Sequence, residues 1–243
     1  QYAKSFTCAL LSDSTVKCWG ANTFGQLGNG AITELPNSTP VAVLNVTNAT
    51  TLGLGQFHAC ALLSDETMKC WGANDFGKLG NGSRMSIPYP VSAPVSGISQ
   101  IAAGSYHSCG LKTNGTVQCW GDNRYGQLGN GTMSSYLISS ESVGDGTPYE
   151  VTGLTGVSQI AAGDLFNCAI ISSAVKCWGY GVNGQLGNGA SVNSSTPVSV
   201  SGISNATQLS AGYAHACARL SDSTIKCWGG NQYGSIGNGT APT

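Results

Sequence analysis

A β-propeller of five repeats, each about fifty residues long and carrying one disulfide, is the all-β fold predicted by three features of this 243-residue chain. A Trp-Gly pair recurs at Trp19, Trp71, Trp120, Trp178 and Trp228, with separations of 52, 49, 58 and 50 residues. Ten cysteines fall into five close pairs. The segments between paired cysteines are apolar on both faces of a strand: Cys8, Leu10, Val16 and Cys18 on one side, Ala9, Leu11 and Trp19 on the other. A sheet buried on both faces must be stacked between neighbours, as a propeller blade is. The repeats divide the chain as a single domain into units 1–49, 50–98, 99–156, 157–204 and 205–243. A five-bladed ring, an open arc and a piece of a larger propeller all accommodate them.

Each unit opens on a cysteine hairpin. The pairs are Cys8 with Cys18, Cys60 with Cys70, Cys109 with Cys119, Cys168 with Cys177, and Cys217 with Cys227. In the first unit the residues ALLSDSTVK between the cysteines fold as two strands closing on Ser12-Asp13-Ser14. Leu11 then faces Thr15, Leu10 faces Val16, and Cys8 faces Cys18. Directly opposed residues of an antiparallel pair lie about 4.5–5.5 Å apart at Cα, close enough for a disulfide. The fourth unit is one residue shorter, with a two-residue turn at Ser172-Ser173, and its cysteines still end opposite each other. Each bridge closes a loop of roughly ten residues, worth about 3 kcal/mol by loop entropy. No C-x-x-C knuckle suggests zinc instead. Five bridges imply an oxidising compartment, hence a secreted, extracellular or cell-surface protein.

After each hairpin comes a glycine-rich tail, GQLGNG in its commonest form, and then, in the first four units, a Pro-led apolar strand. Such a tail resembles a phosphate cradle, but a dinucleotide fingerprint requires a following helix. Its glycines instead read as positive-φ turn positions. The longest connection runs from Thr132 to Val151; long insertions in repeat proteins map to one face and mark a candidate binding loop, here with Tyr136, Glu141, Asp145 and Tyr149. The chain opens on QYAKSF inside a repeat, which reads as a processed form or a segment of something longer.

Ten Lys and Arg against eleven Asp and Glu leave a net charge of −1, and charged residues make up 9% of the chain against roughly 25% in an average domain. There is no basic patch for nucleic acid and no apolar run near the ~18 residues of a membrane span. His58, His107 and His215 stand two residues before a cysteine where Phe6 and Phe166 stand in other units, so they read as buried rings bonded to backbone, not ligands. The five Trp read as packing between blades, and Phe24, Phe76, Tyr125 and Tyr233 as core. No catalytic constellation, metal site or cofactor motif is expected. Nine sequons, at Asn37, Asn45, Asn48, Asn81, Asn114, Asn130, Asn193, Asn205 and Asn238, mark sites open to N-glycosylation.

The motifs IAAGSYHSCGL at 101–111, CWGDNRYGQLGNG at 119–131 and CWGANTFGQLGNG at 18–30 resemble the regulator-of-chromosome-condensation repeat family. The resemblance implies a propeller of four-stranded blades, usually seven in this family, and the cysteine pairs resemble those of its secreted, disulfide-containing members. It carries over no catalytic residue. The expected function is therefore a non-enzymatic binding scaffold that recognises a protein or glycan through rim loops. The alternatives are a self-assembling structural protein, whose copies join head to tail by strand addition, and a propeller enzyme.

Overall fold

The computed structural model describes residues 5–134 and 146–240. They form five antiparallel sheets, one per repeat. The first holds β1 (Phe6–Leu10), β2 (Val16–Asn22) and β3 (Thr33–Ala42). The second holds β4 (Ala49–Leu54), β5 (His58–Leu63), β6 (Met68–Gly72) and β7 (Ile87–Ser92), and the third β8 (Ile98–Ala103), β9 (His107–Lys112), β10 (Val117–Gly121) and β11 (Tyr149–Glu150). The fourth holds β12 (Val157–Ala162), β13 (Phe166–Ile171), β14 (Ala174–Gly179) and β15 (Ser194–Ser199); the fifth, β16 (Ala206–Ala211), β17 (His215–Leu220) and β18 (Ile225–Gly229). Full blades run in simple order from inner to outer strand. Among the described residues the first blade has no innermost strand and the fifth no outermost one.

In every central hairpin the cysteines are Cα partners, from Cys8 opposite Cys18 to Cys217 opposite Cys227. Each pair is a disulfide, with Cα atoms 4.0–4.1 Å apart. Turn chemistry fixes this register. In the long hairpins a residue with positive φ ends the turn (Ser14, Glu66, Gly115 and Ser223), and an Asp or Asn before it accepts from the following Thr. These bonds hold the Asp13, Asp65 and Asp222 carboxyls below the usual carboxylate range. The short hairpin places both Ser172 and Ser173 at positive φ, the signature of a two-residue turn matched to strand twist.

The glycine of each Trp-Gly pair has φ of +103° to +108°, and a Cβ there would sit 2.6–2.7 Å from the carbonyl oxygen three residues before the first Cys of the hairpin, as with Ser5 against Gly20. Only glycine fits, and the ladder shifts register at this point. The Trp beside it closes the junction to the preceding blade. Trp71, Trp120, Trp178 and Trp228 donate from Nε1 to the carbonyls of Gln26, Lys78, Gln127 and Gln185, at 2.9–3.0 Å. The glycine two residues after each of those carbonyls lies against the indole, where a Cβ would come within 2.8 Å.

The sheets form an open arc. Trp71, Trp120 and Trp178 are fully buried between blades. On the last blade, by contrast, Ile225 is 68% and Tyr233 87% exposed. A cavity of about 680 Å³ opens there, lined by Asn183, His215, Gly229, Tyr233 and Ser235 among others.

Candidate functional site

The turns that join the first and second strands of each blade gather at one end of the arc. Gly55-Gln56, Gly104-Ser105, Gly163-Asp164 and Gly212-Tyr213 surround a shallow depression of about 270 Å³, which we call the mouth. Backbone bonds link successive turns: Ser105 N–H donates to Asp164 O (3.0 Å), and Asp164 N–H to Tyr213 O (3.1 Å). The Ser105 hydroxyl also donates to the Asp164 carboxylate. The Asp164 charge, then burial, then a hydrogen bond to the same carboxylate push the Tyr213 phenol above its ordinary pKa.

Two further depressions are continuous with the mouth through Gln56, Asp164 and Tyr213. An aromatic pair stands at each of the first three junctions, and five of these six rings line the depressions. Phe24 meets Phe57 (5.6 Å between centroids), Phe76 meets Tyr106 (5.4 Å) and Tyr125 meets Tyr180 (5.0 Å), all edge to face. The expectation that Phe24, Phe76, Tyr125 and Tyr233 are core residues is corrected here. Phe24 is 40% exposed, Phe76 and Tyr125 are half-buried, and Tyr233 lies on the uncovered side of the last blade. All four sit on surface turns after the Trp-Gly pair, and Phe24, Phe76 and Tyr125 have other rim aromatics as partners.

Charge is concentrated beside the second pair. Lys78 stands where three other repeats carry Gln; its buried ammonium pairs with Asp75 and lies 5.1 Å from the Tyr106 ring centre. Burial lowers its pKa, opposed by the charges of Asp75 and Asp122. Arg124 is bound side-on by Asp122, at 2.9–3.0 Å, and its guanidinium lies 4.6 Å from the Phe76 ring centre.

Beneath this face lie the histidines. His58 and His107 bond to side chains of the next blade, not to backbone as expected, and His215, on the last blade, is half-buried instead of buried. His58 Nε2 contacts Ser108 Oγ, and His107 Nε2 contacts Asn167 Oδ1, both at 2.8 Å. The Ser108 hydroxyl donates onward to Lys78 O (2.9 Å), so it accepts from His58; Asn167 Nδ2 donates to Gln127 O (2.9 Å), which turns its oxygen toward His107. Both rings therefore donate from Nε2, and their buried Nδ1 atoms lack a partner. Burial depresses both pKa values and keeps the rings neutral. No cluster of three or more His, Cys, Asp or Glu among the described residues could hold a metal ion.

Other expected site residues are placed as follows. Tyr136, Glu141 and Asp145 lie outside the described residues. Tyr149 is not in a loop; it opens β11, opposite Cys119. Among the sequons, Asn81, Asn114, Asn130 and Asn238 accept from the backbone two residues on, at 3.0–3.2 Å. Asn37 does the same to Thr39, Asn193 accepts from Gly181, and Asn48 and Asn205 donate to Ser64 and Ser221. Asn45 is an exposed residue at φ +54°. Turn chemistry thus accounts for most of the recurrences of Asn-x-Ser/Thr.

A stack of antiparallel blades locked by indole-to-carbonyl bonds defines a repeat propeller. The chain belongs to the Regulator of chromosome condensation (RCC1) repeat family, matched at residues 70–111, 114–170 and 175–219, and by a second RCC1 repeat model at 4–26, 50–78, 98–127 and 206–235. It is 34% identical over 92 residues to the ultraviolet-B receptor UVR8 of Arabidopsis thaliana, a stretch covering 37% of this chain and 21% of the receptor. Human WBSCR16 superposes with a TM-score of 0.85 at 22% identity, over 97% of this chain and 62% of that one. Prp20p of Saccharomyces cerevisiae, described with its binding to Gsp1p and histones, superposes with a TM-score of 0.80 at 20% identity, over 98% of this chain and 59% of that one. The chain thus spans about three fifths of each solved propeller and a fifth of the plant receptor.

The expected secreted or cell-surface location is overturned by these matches, since a protein that binds Gsp1p and histones works in the cell interior. The error has a physical source. Paired cysteines report that two strands bring two side chains together, and the compartment does not follow from that geometry alone. No helix among the described residues is long and apolar enough to cross a membrane. The chain is an RCC1-repeat scaffold.

Proposed function

We propose that the mouth face is a protein-recognition surface, formed by the turns around Asp164 and Tyr213 and the aromatic rows beside them. The observation that carries this reading is the joining of three inter-blade aromatic pairs to five charged side chains, Asp75, Lys78, Asp122, Arg124 and Asp164, on one face of a charge-poor chain. Aromatic and Arg side chains held rigidly are what interface hot spots use. The rings meet edge to face, which occupies surfaces a sugar would stack on and favours a protein over a glycan. The insertion carrying Tyr136, Glu141 and Asp145 is a second candidate element. Prp20p, with its protein partners, supplies the probes. A purified Gsp1p-type GTPase and purified histones are presented to the chain by interferometry. Binding of either, weakened about tenfold or more by Tyr213→Ser with Arg124→Glu, supports the surface. Binding that is unchanged in that variant, or no binding of either probe, counts against it.

A second reading is head-to-tail association of copies. It is favoured by Trp19 and Ser235, which occupy the two halves of the junction seen four times inside the chain and have no such bond among the described residues. Light scattering that finds only monomers excludes it.

A further inference from the structure

Of the three aspartates on the mouth face, two have cations of their own. Asp75 pairs with Lys78 and Asp122 with Arg124. Asp164 accepts from the Ser105 hydroxyl and the Tyr213 phenol, both neutral, and forms no ion pair among the described residues. A carboxylate offers about four acceptor positions, so two donors leave it room for more. It borders a depression of about 200 Å³ whose walls include the rings of Tyr125, Tyr180 and Tyr213, with Asn183 and Gln185 beside them. No Lys, Arg or His lines it among the described residues. Its walls come from the third, fourth and fifth blades, and both junctions it spans are closed within the chain by the Trp178 and Trp228 indole bonds.

The neighbouring junction shows what such a pair of rings takes. There Phe76 and Tyr106 meet edge to face, Arg124 lays its guanidinium 4.6 Å from the Phe76 ring centre, and Asp122 grips it side-on at 2.9–3.0 Å. Lys78 adds an ammonium 5.1 Å from the Tyr106 ring centre. The next junction repeats the edge-to-face pair, in Tyr125 and Tyr180, and the carboxylate, in Asp164. Counted from the Trp-Gly pair, however, it carries Gln127 in place of Lys78 and Val182 in place of Arg124. The first junction differs again: the acid beside Phe24 and Phe57 is Asp75, which Lys78 already neutralises. The Asp164 charge reaches across this face. It is the largest cause raising the Tyr213 phenol and, after burial, raises that of Tyr106 too.

We infer that the depression between Tyr125, Tyr180 and Tyr213 receives an arginine side chain of the protein partner, with its guanidinium on the tyrosine rings and its N–H fork on the Asp164 carboxylate. This rests on the mouth face being a protein-recognition surface and names the side chain that the face takes. Arginine is favoured over lysine because a planar, weakly hydrated fork lies on a ring and meets a carboxylate side-on at once, as Arg124 does one junction away. Attraction of a cation to ring faces strengthens as water is excluded, and three rings around one opening exclude it.

The probe is the peptide acetyl-Gly-Arg-Gly-amide, titrated with the full chain and followed by ligand-observed NMR. Saturable binding is expected, with the arginine δ-methylene signals moved upfield by the ring faces. The citrulline peptide, which has the same shape without the charge, should bind at least about tenfold more weakly, and the lysine peptide at least about threefold. Tyr180→Leu and Asp164→Asn should each weaken arginine binding about tenfold, whereas Tyr180→Phe, which keeps the ring, should leave it nearly unchanged. Equal binding of the arginine and citrulline peptides overturns the inference, as does absence of binding, or binding that Tyr180→Leu and Asp164→Asn both leave intact. Equal binding of the lysine peptide overturns the choice of arginine. The two readings fail separately. A protein probe that binds through Tyr213 and Arg124 while the arginine peptide does not bind leaves the surface standing and refutes the arginine pocket. Arginine binding without binding of either protein probe does the reverse.

Discussion

The junctions at the two ends of the arc and those in its middle solve the same packing problem differently. All four share the indole-to-carbonyl bond. They differ at the position two residues before the first Cys of one blade and the position just before that Cys in the next. At the outer junctions these are Phe6 with Ala59 and Phe166 with Ala216, each pair within one apolar cluster. At the middle junctions they are His58 with Ser108 and His107 with Asn167, joined by hydrogen bonds. A ring of similar size is either buried against a methyl or bonded to a polar group, and no junction mixes the two. The unit of complementarity is the junction, not the blade: each repeat is fitted to its neighbours on both sides.

Mismatching a junction should break this pattern most severely. Ala216→Asn places an amide against Phe166, which offers no hydrogen bond, in a site where Ala216 is fully buried. An unsatisfied buried amide together with overpacking is expected to cost about 3–5 kcal/mol. Urea denaturation monitored by tryptophan fluorescence checks it; a loss below about 1 kcal/mol would mean the junction is loose enough to admit water.

Converting a middle junction into the outer kind should cost much less, provided both sides change together. Asn167→Ala alone leaves the His107 Nε2–H without its acceptor and should cost about 2–3 kcal/mol. His107→Phe alone strands the Asn167 oxygen and should cost a similar amount. The double variant copies the Phe166–Ala216 solution, and Gln127 O keeps the bond from the Trp178 indole. Its total loss should be at most about 1 kcal/mol, so the double-mutant cycle shows a coupling of about 2 kcal/mol or more. Simple additivity would refute the matched-junction account.

The sequence reveals the hairpins because every constraint on them is local: two cysteines, a turn residue with positive φ, and a Trp-Gly bulge recur together. Alternation along one strand likewise shows that both faces are covered. The matching of Phe6 to Ala59 and His107 to Asn167 is also written in the sequence. It is visible only when one residue is compared with the following position of the next repeat, about fifty residues on. The rim aromatics were hidden for a different reason. Phe24 and Phe76 follow a bulge, where strand alternation no longer predicts direction, and an aromatic in a turn reads as core whether it faces a neighbour or solvent.

Acid should separate the two kinds of junction with the smallest perturbation. His58 and His107 are fully buried, and their pKa values lie below the ordinary value of 6.5. The Lys78 ammonium and His107 itself further oppose protonation of His58, while Asn167, Asp122 and Asp164 pull His107 partway back. As pH falls through about 6.5 the unfolded chain takes up protons that the folded chain refuses, so the contribution present above that pH is progressively lost. The limiting slope is about 1.4 kcal/mol per pH unit for each ring, until the folded-state pKa is reached. The turn carboxylates Asp13, Asp65 and Asp222 act in the same direction but only near and below their ordinary value of 3.8, so they leave the range from 6.5 to 4.5 to the histidines. Stability measured across that range should decline in the natural protein. It should stay nearly flat when both middle junctions carry the Phe-and-Ala pair. An equal decline in the two proteins would mean that these rings become protonated within the folded arc, with water reaching the Nδ1 atoms that now have no partner.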